Sequence, residues 1–171
     1  RDGKDVTGNY AHGCYQETKT VTDRSVLNVQ DILTFANETP LDELQPLLER
    51  QIEMNMAIAE EGIRGSYGAC IGKVLYRNGE ASLRDKARAF AAAGSDARMS
   101  GCELPVGILS GSGNQGITVT MPVIAYSIKY GTTDEQLARA LVLSHLVAIH
   151  IKGYLGKLSA LCGCVIASTG S

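Results

Sequence analysis

The chain has 171 residues, enough for one domain with a real core. Its formal charge of −2 excludes a long-range pull toward nucleic acid or an anionic membrane surface. Only 5% of residues are aromatic and none is Trp, while Gly numbers 19, a balance suited to thin, closely packed helices.

Residues 1–22 are polar and show no helical period, which predicts an irregular N-terminal segment or linker with a short strand near Thr18-Lys19-Thr20-Val21. Residues 23–171 are expected to form a helical domain, a fragment of a longer catalytic domain. Ser25 suits a helix N-cap, with Asn28 following, and Val29, Ile32, Leu33, Phe35 and Ala36 give a short amphipathic helix ending before Pro40. Pro40-Leu41-Asp42-Glu43 opens the next helix, with its acids in the first turn. Leu44, Leu47, Leu48, Ile52, Met56 and Ala59 carry that helix to about Glu61, where Gly62 and Gly65 end it.

A helix over about 67–76 leads into an Asn78-Gly79 turn. Ser82 caps the following helix, with Asp85 at N3 in the manner of a capping box. This helix is rich in alanine and runs toward Gly101, and residues 102–113 form a glycine-containing crossover. The stretch from Asn114 to Tyr130 reads as a helix kinked at Pro122, although Ile117, Thr118, Val119 and Thr120 also allow a strand. Thr133 caps a strongly apolar helix from Asp134 to about Lys152, expected to be the buried centre. A last apolar helix spans about Leu155 to Ser168. These elements predict a mainly α protein, a bundle of about six or seven helices around a glycine-rich crossover loop.

The chemistry is expected at Ser110-Gly111-Ser112-Gly113-Asn114-Gln115-Gly116, where bare backbone and two amide side chains meet the start of a helix. A helix beginning there offers unpaired N–H groups and a positive dipole end to an anion. Gly111, Gly113 and Gly116 also satisfy the dinucleotide G-x-G-x-x-G pattern, a weak match without alternating strand–helix units. A plain tight turn is the third reading. Asp96 and Arg98 precede the loop; Arg suits a two-point grip on a carboxylate, and a local Asp96–Arg98 ion pair is the alternative.

The five cysteines are an odd count. Cys14 and Cys70 read as small apolar residues. Cys162-Gly163-Cys164 is too tight for an ordinary disulfide, and one of the pair suits an iron–sulfur cluster shared with cysteines elsewhere. His145 and His150 project about 140° apart on a helix, so they make no shared metal face and read as core residues.

A longer string is more specific. Ser95-Asp96-Ala97-Arg98-Met99, Leu104-Pro105, the loop from Ser110 to Ile117, Met121-Pro122-Val123, Leu137-Ala138-Arg139-Ala140-Leu141, Leu143-Ser144-His145-Leu146 and Leu158-Ser159-Ala160-Leu161-Cys162 follow in order. This string resembles the bacterial L-cysteine desulfidase family, which is itself similar to the α-chain region of iron–sulfur L-serine dehydratases. The resemblance runs from about Ser25 to the end and covers the central part of the family's longer chain.

The resemblance implies an oxygen-sensitive lyase with a [4Fe–4S] cluster. It would eliminate across the Cα–Cβ bond of L-cysteine or L-serine to give pyruvate and ammonia, plus sulfide from cysteine. Cys162 matches the family's cluster cysteine, with Cys164 and Cys102 as bystanders. The loop from Ser110 to Gly116, with Asp96 and Arg98, would hold the substrate; the general base is not identified. The family's other cysteine segments have no counterpart here, and Arg1 is not Met, so the chain is expected to be an excised piece, inactive and without a cluster by itself. The expected partner is a small amino-acid substrate, with no nucleic acid or membrane, in the cytoplasm. Apolar patches on the piece favour a homo-oligomer. The alternative is a non-catalytic helical module that binds a small anion or amino acid at the glycine loop.

Overall fold

A computed structural model describes residues 23–77, 82–155 and 160–171. The expected irregular segment at 1–22, its strand and the Asn78-Gly79 turn lie outside the described residues. Among the described residues seven helices follow one another: α1 (Val29–Glu38), α2 (Gln45–Arg64), α3 (Ile71–Arg77), α4 (Leu83–Met99), α5 (Gly113–Tyr130), α6 (Asp134–Leu155) and α7 (Gly163–Gly170). Among the described residues there is no strand, only an isolated antiparallel bridge between Leu109 and Ser112. The protein is mainly α, as its periodicity predicts.

Several boundaries differ from the sequence expectation for local reasons. The α1 cap is Asn28, not Ser25: the Asn28 Oδ1 accepts the Asp31 N–H at 2.9 Å, while the Ser25 N–H donates to Asp23. Pro40–Leu44 form a turn in which the Leu44 and Gln45 N–H groups both reach the Leu41 carbonyl, so α2 starts later, with Pro46 in its first turn. Gly62 does not end α2. It lies inside the helix because a Cβ there would fall 2.1 Å from the Ala93 carbonyl oxygen of α4. Gly65 is the actual C-cap. The close α2–α4 crossing is what the small-residue composition predicts.

The Ser82–Asp85 cap and the Thr133 cap form as expected, and Gln136 completes the second by bonding reciprocally with Thr133. The β-branched residues of α5 are helical, and the Thr120 hydroxyl turns back to donate to the Gly116 carbonyl at 2.6 Å. The buried centre is α5 rather than α6: Ile117, Val119, Thr120 and Met121 are all at most 1% exposed. Ile117 and Met121 pack against Ile58 and Ala59 of α2 and Ala97 of α4, while Val119 packs against Leu109, Ala148 of α6 and Ala167 of α7. On α6, Arg139 donates to the Ala36 and Thr39 carbonyls at the end of α1, where a cation suits the helix dipole. The last helix begins at Gly163, not at Leu155, and Cys162 is its N-cap.

Candidate functional site

The glycine stretch divides into three parts with different jobs. Leu109 and Ser112 exchange backbone hydrogen bonds of 3.1 and 3.0 Å. Ser110 (φ 49°) and Gly111 (φ 80°) between them have the positive φ that a tight hairpin turn demands. Both are exposed, and their conformation is that of a tight turn. At the other end, Gly116 is buried against the crossover: a Cβ there would lie 1.9 Å from the Gly107 carbonyl oxygen. Gly116 therefore packs the start of α5 against the crossover. No strand precedes the loop, which removes the dinucleotide reading.

The middle part, Ser112 to Gln115, is the start of α5. The Ser112 Oγ accepts the Gln115 N–H at 3.4 Å, and the Gly113 and Asn114 N–H groups, in the first turn, have no intrahelical acceptor. Arg98 of α4 lies across them. Its Nη1 donates to the Asn114 Oδ1 at 3.1 Å, and its Nε packs so closely that a Cβ on Gly113 would fall 2.4 Å from it. Among the described residues no carboxylate pairs with Arg98, and its Nη2 has no acceptor. A half-buried cation with a free donor edge thus stands beside two helix-start N–H groups.

The cysteine turn closes the other side. The Gln115 carboxamide packs onto Gly163, where a Cβ would sit 2.1 Å from the Gln115 Nε2. That glycine separates exposed Cys162 from half-buried Cys164. Burial pushes the Cys164 thiol up, opposed by its hydrogen bond to the Thr118 hydroxyl and the charge of Arg98, and aided by Cys162. Cys164 thus lies beside Cys162 and Thr118, within electrostatic reach of Arg98.

Other candidates lie apart. Asp96 sits about 200° around α4 from Arg98 and caps α3 instead, its Oδ2 accepting the Ile71 N–H at 2.9 Å. Neither the Asp96–Arg98 ion pair nor a substrate role for Asp96 at the loop fits that orientation. Cys102 lies beside Tyr67, whose phenol is pushed up to about 12 by its hydrogen bond to Glu61 first and by Cys102 second. His150 stacks edge-on against Tyr154, with ring centroids 5.1 Å apart. The His145 ring lies between the Leu141 carbonyl and the Gln51 side chain, and burial lowers its affinity for a proton.

Sequence reasoning missed Asn55 and Thr118. Asn55 is fully buried on α2, with its Oδ1 accepting from Gly107 and its Nδ2 donating to Gly116. An asparagine at a core-facing step of an apolar helix was the available signal.

A [4Fe–4S] cluster takes thiolates from three or four cysteines. Among the described residues the site offers two, Cys162 and Cys164, and no group of three metal-binding side chains exists. The residues present do not by themselves fit the cluster that the resemblance implies. No helix of the described residues is long and apolar enough to cross a membrane.

The sequence profile of the serine dehydratase alpha chain matches residues 10–171. A UPF0597 protein of Desulfitobacterium hafniense is 49% identical over 152 residues, covering 89% of this chain and 35% of the relative. A UPF0597 protein of Lachnoclostridium phytofermentans is 50% identical, covering 89% and 36%, and one of Finegoldia magna is 48% identical, covering 92% and 38%. The chain thus spans little more than a third of the length of these curated relatives. No solved structure matches. With the profile matched from residue 10 to residue 171, the chain belongs to the serine dehydratase alpha chain family.

Proposed function

We propose that this chain is the carboxylate-holding part of an amino-acid lyase. The observation that carries the reading is the meeting of Arg98, the Gly113 and Asn114 N–H groups, and the Cys162-Gly163-Cys164 turn. An α-amino acid carries a carboxylate that suits the cationic edge and the helix start, and a short β-substituent that would reach the thiols. In the full-length protein the reaction is elimination from L-cysteine or L-serine. The α-proton leaves to a base and the β-substituent leaves as sulfide or water. The aminoacrylate takes up water and releases ammonia, leaving pyruvate. The same full-length protein is proposed to carry a [4Fe–4S] cluster, with Cys162 as one ligand and the others supplied from outside the described residues.

Arg98 and the first turn of α5 orient the carboxylate, which fixes the Cα–H relative to a base. Asn114 fixes the guanidinium through its Oδ1. Ser110 and Gly111 shape the turn without touching the ligand. The second reading is a module that binds a small anion or amino acid without chemistry, and the two-thiol donor set favours it for the chain alone.

Full-length protein purified without oxygen separates the two. The lyase reading expects pyruvate from L-cysteine or L-serine, lowered about a hundredfold by Arg98→Ala, the loss of a charge-assisted grip of roughly 3 kcal/mol. Amino-acid binding with no pyruvate from either substrate supports the module.

A further inference from the structure

Gln115 is 6% exposed, and its carboxamide has no hydrogen-bond partner among the described residues. Among the described residues no side-chain nitrogen or oxygen is both sealed from solvent and unpaired, so the Gln115 carboxamide is not fully closed off. A nearly buried carboxamide without a protein partner depends on water or a ligand for its hydrogen bonds. Its position is definite. Successive residues of the α5 first turn divide the site: Gly113 and Asn114 stand against Arg98, while Gln115 stands against Gly163 between the two cysteines.

Gly163 has no side chain because the Gln115 Nε2 fills that space. One end of the site thus holds cationic and N–H donors for a carboxylate. The other end, at the thiols, holds a group that both donates and accepts.

We propose that Gln115 is a specificity-determining residue. Its carboxamide hydrogen-bonds the polar β-substituent, hydroxyl or thiol, of a small α-amino acid whose carboxylate lies at Arg98 and the start of α5. This rests on the amino-acid reading above and adds to it the reason for preferring serine or cysteine over alanine. A β-hydroxyl satisfies the amide, whereas a methyl group leaves it unpaired. A site built to hydrogen-bond a hydroxyl discriminates strongly against an analogue that lacks one.

The test is calorimetric titration of the anaerobic full-length protein with L-serine and with L-alanine. Four proteins are compared: unaltered, Gln115→Met, Gln115→Glu and Arg98→Ala, with melting curves to check folding. The unaltered protein should prefer L-serine by about tenfold or more. Gln115→Met, close in volume, should bring that ratio near one with alanine affinity unchanged. Gln115→Glu, which accepts but does not donate, should lower the ratio while keeping the shape. Arg98→Ala should weaken both ligands equally and keep the ratio. If both amino acids bind and Arg98→Ala weakens them, but Gln115→Met leaves the ratio intact, the Gln115 assignment is wrong and the carboxylate site stands. If neither amino acid binds the unaltered protein, or Arg98→Ala changes nothing, the amino-acid reading itself fails.

Discussion

Gly107 and Gly116 touch backbone to backbone, and Asn55 ties them together. Its Oδ1 accepts the Gly107 N–H at 2.9 Å and its Nδ2 donates to the Gly116 carbonyl at 3.2 Å. The Thr120 hydroxyl completes the cluster on the same carbonyl. A single fully buried side chain on α2 therefore fixes where the crossover ends and α5 begins. Asn55→Ala leaves one buried N–H unpaired and one carbonyl with less than its share. The expected cost is about 2–4 kcal/mol, from two lost buried hydrogen bonds and a small cavity. Urea unfolding checks it: the midpoint should fall while the slope stays the same.

The loop glycines should respond unequally to alanine. At Gly116 the new methyl meets backbone that Asn55 holds in place, and the cost should be about 3 kcal/mol. At Gly113 it meets the flexible Arg98 side chain, which can swing away. Stability should then change by less than about 1 kcal/mol, since alanine favours a helix. Ligand binding should nonetheless weaken about tenfold, because Arg98 is displaced. Melting curves and titration of the two variants in parallel separate the packing glycine from the site glycine.

His145 gives the fold a sign-definite response to acid. Burial lowers its pKa below the ordinary 6.5, so the native state holds a neutral ring while the unfolded chain is protonated near that value. The unfolded state binds more protons in that window, so stability rises with pH there. Stability should fall as pH drops below 6.5 toward the native pKa, at no more than about 1.4 kcal/mol per pH unit, the limit for one proton. His145→Gln should flatten that part of the stability–pH curve, read from urea midpoints at several pH values.

Alkylation tests the cysteine turn. Cys162 is exposed, whereas Cys164 is half-buried with its thiol pushed up by burial. Iodoacetamide at neutral pH should modify Cys162 about tenfold faster than Cys164. Saturating L-serine should slow both, as read by mass spectrometry of the peptides.

The elements legible in the sequence were those whose signals are local. Ser82 with Asp85, and Thr133, mark helix starts because a cap bonds an N–H only three residues away. Gly62 was misread as a stop because its cause is Ala93, on another helix, and no local signal carries that. Asp96 and Arg98 are two residues apart in the chain but diverge around the helix, one toward Ile71 and one toward Asn114. The loop and the Cys162 turn could be named from the sequence. The role of Gln115 against Gly163 could not, because it depends on how α5 and α7 pack.

The most direct test is a crystal structure of the anaerobic full-length protein with L-serine bound. The account predicts the serine carboxylate within hydrogen-bond distance of Arg98 and of the Gly113 and Asn114 N–H groups, with its β-hydroxyl turned toward Gln115 and the Cys162-Gly163-Cys164 turn. Serine bound elsewhere, such as in the groove of about 560 Å³ between α2 and α6 lined by Gln51 and His145, with Arg98 left unliganded, would contradict it.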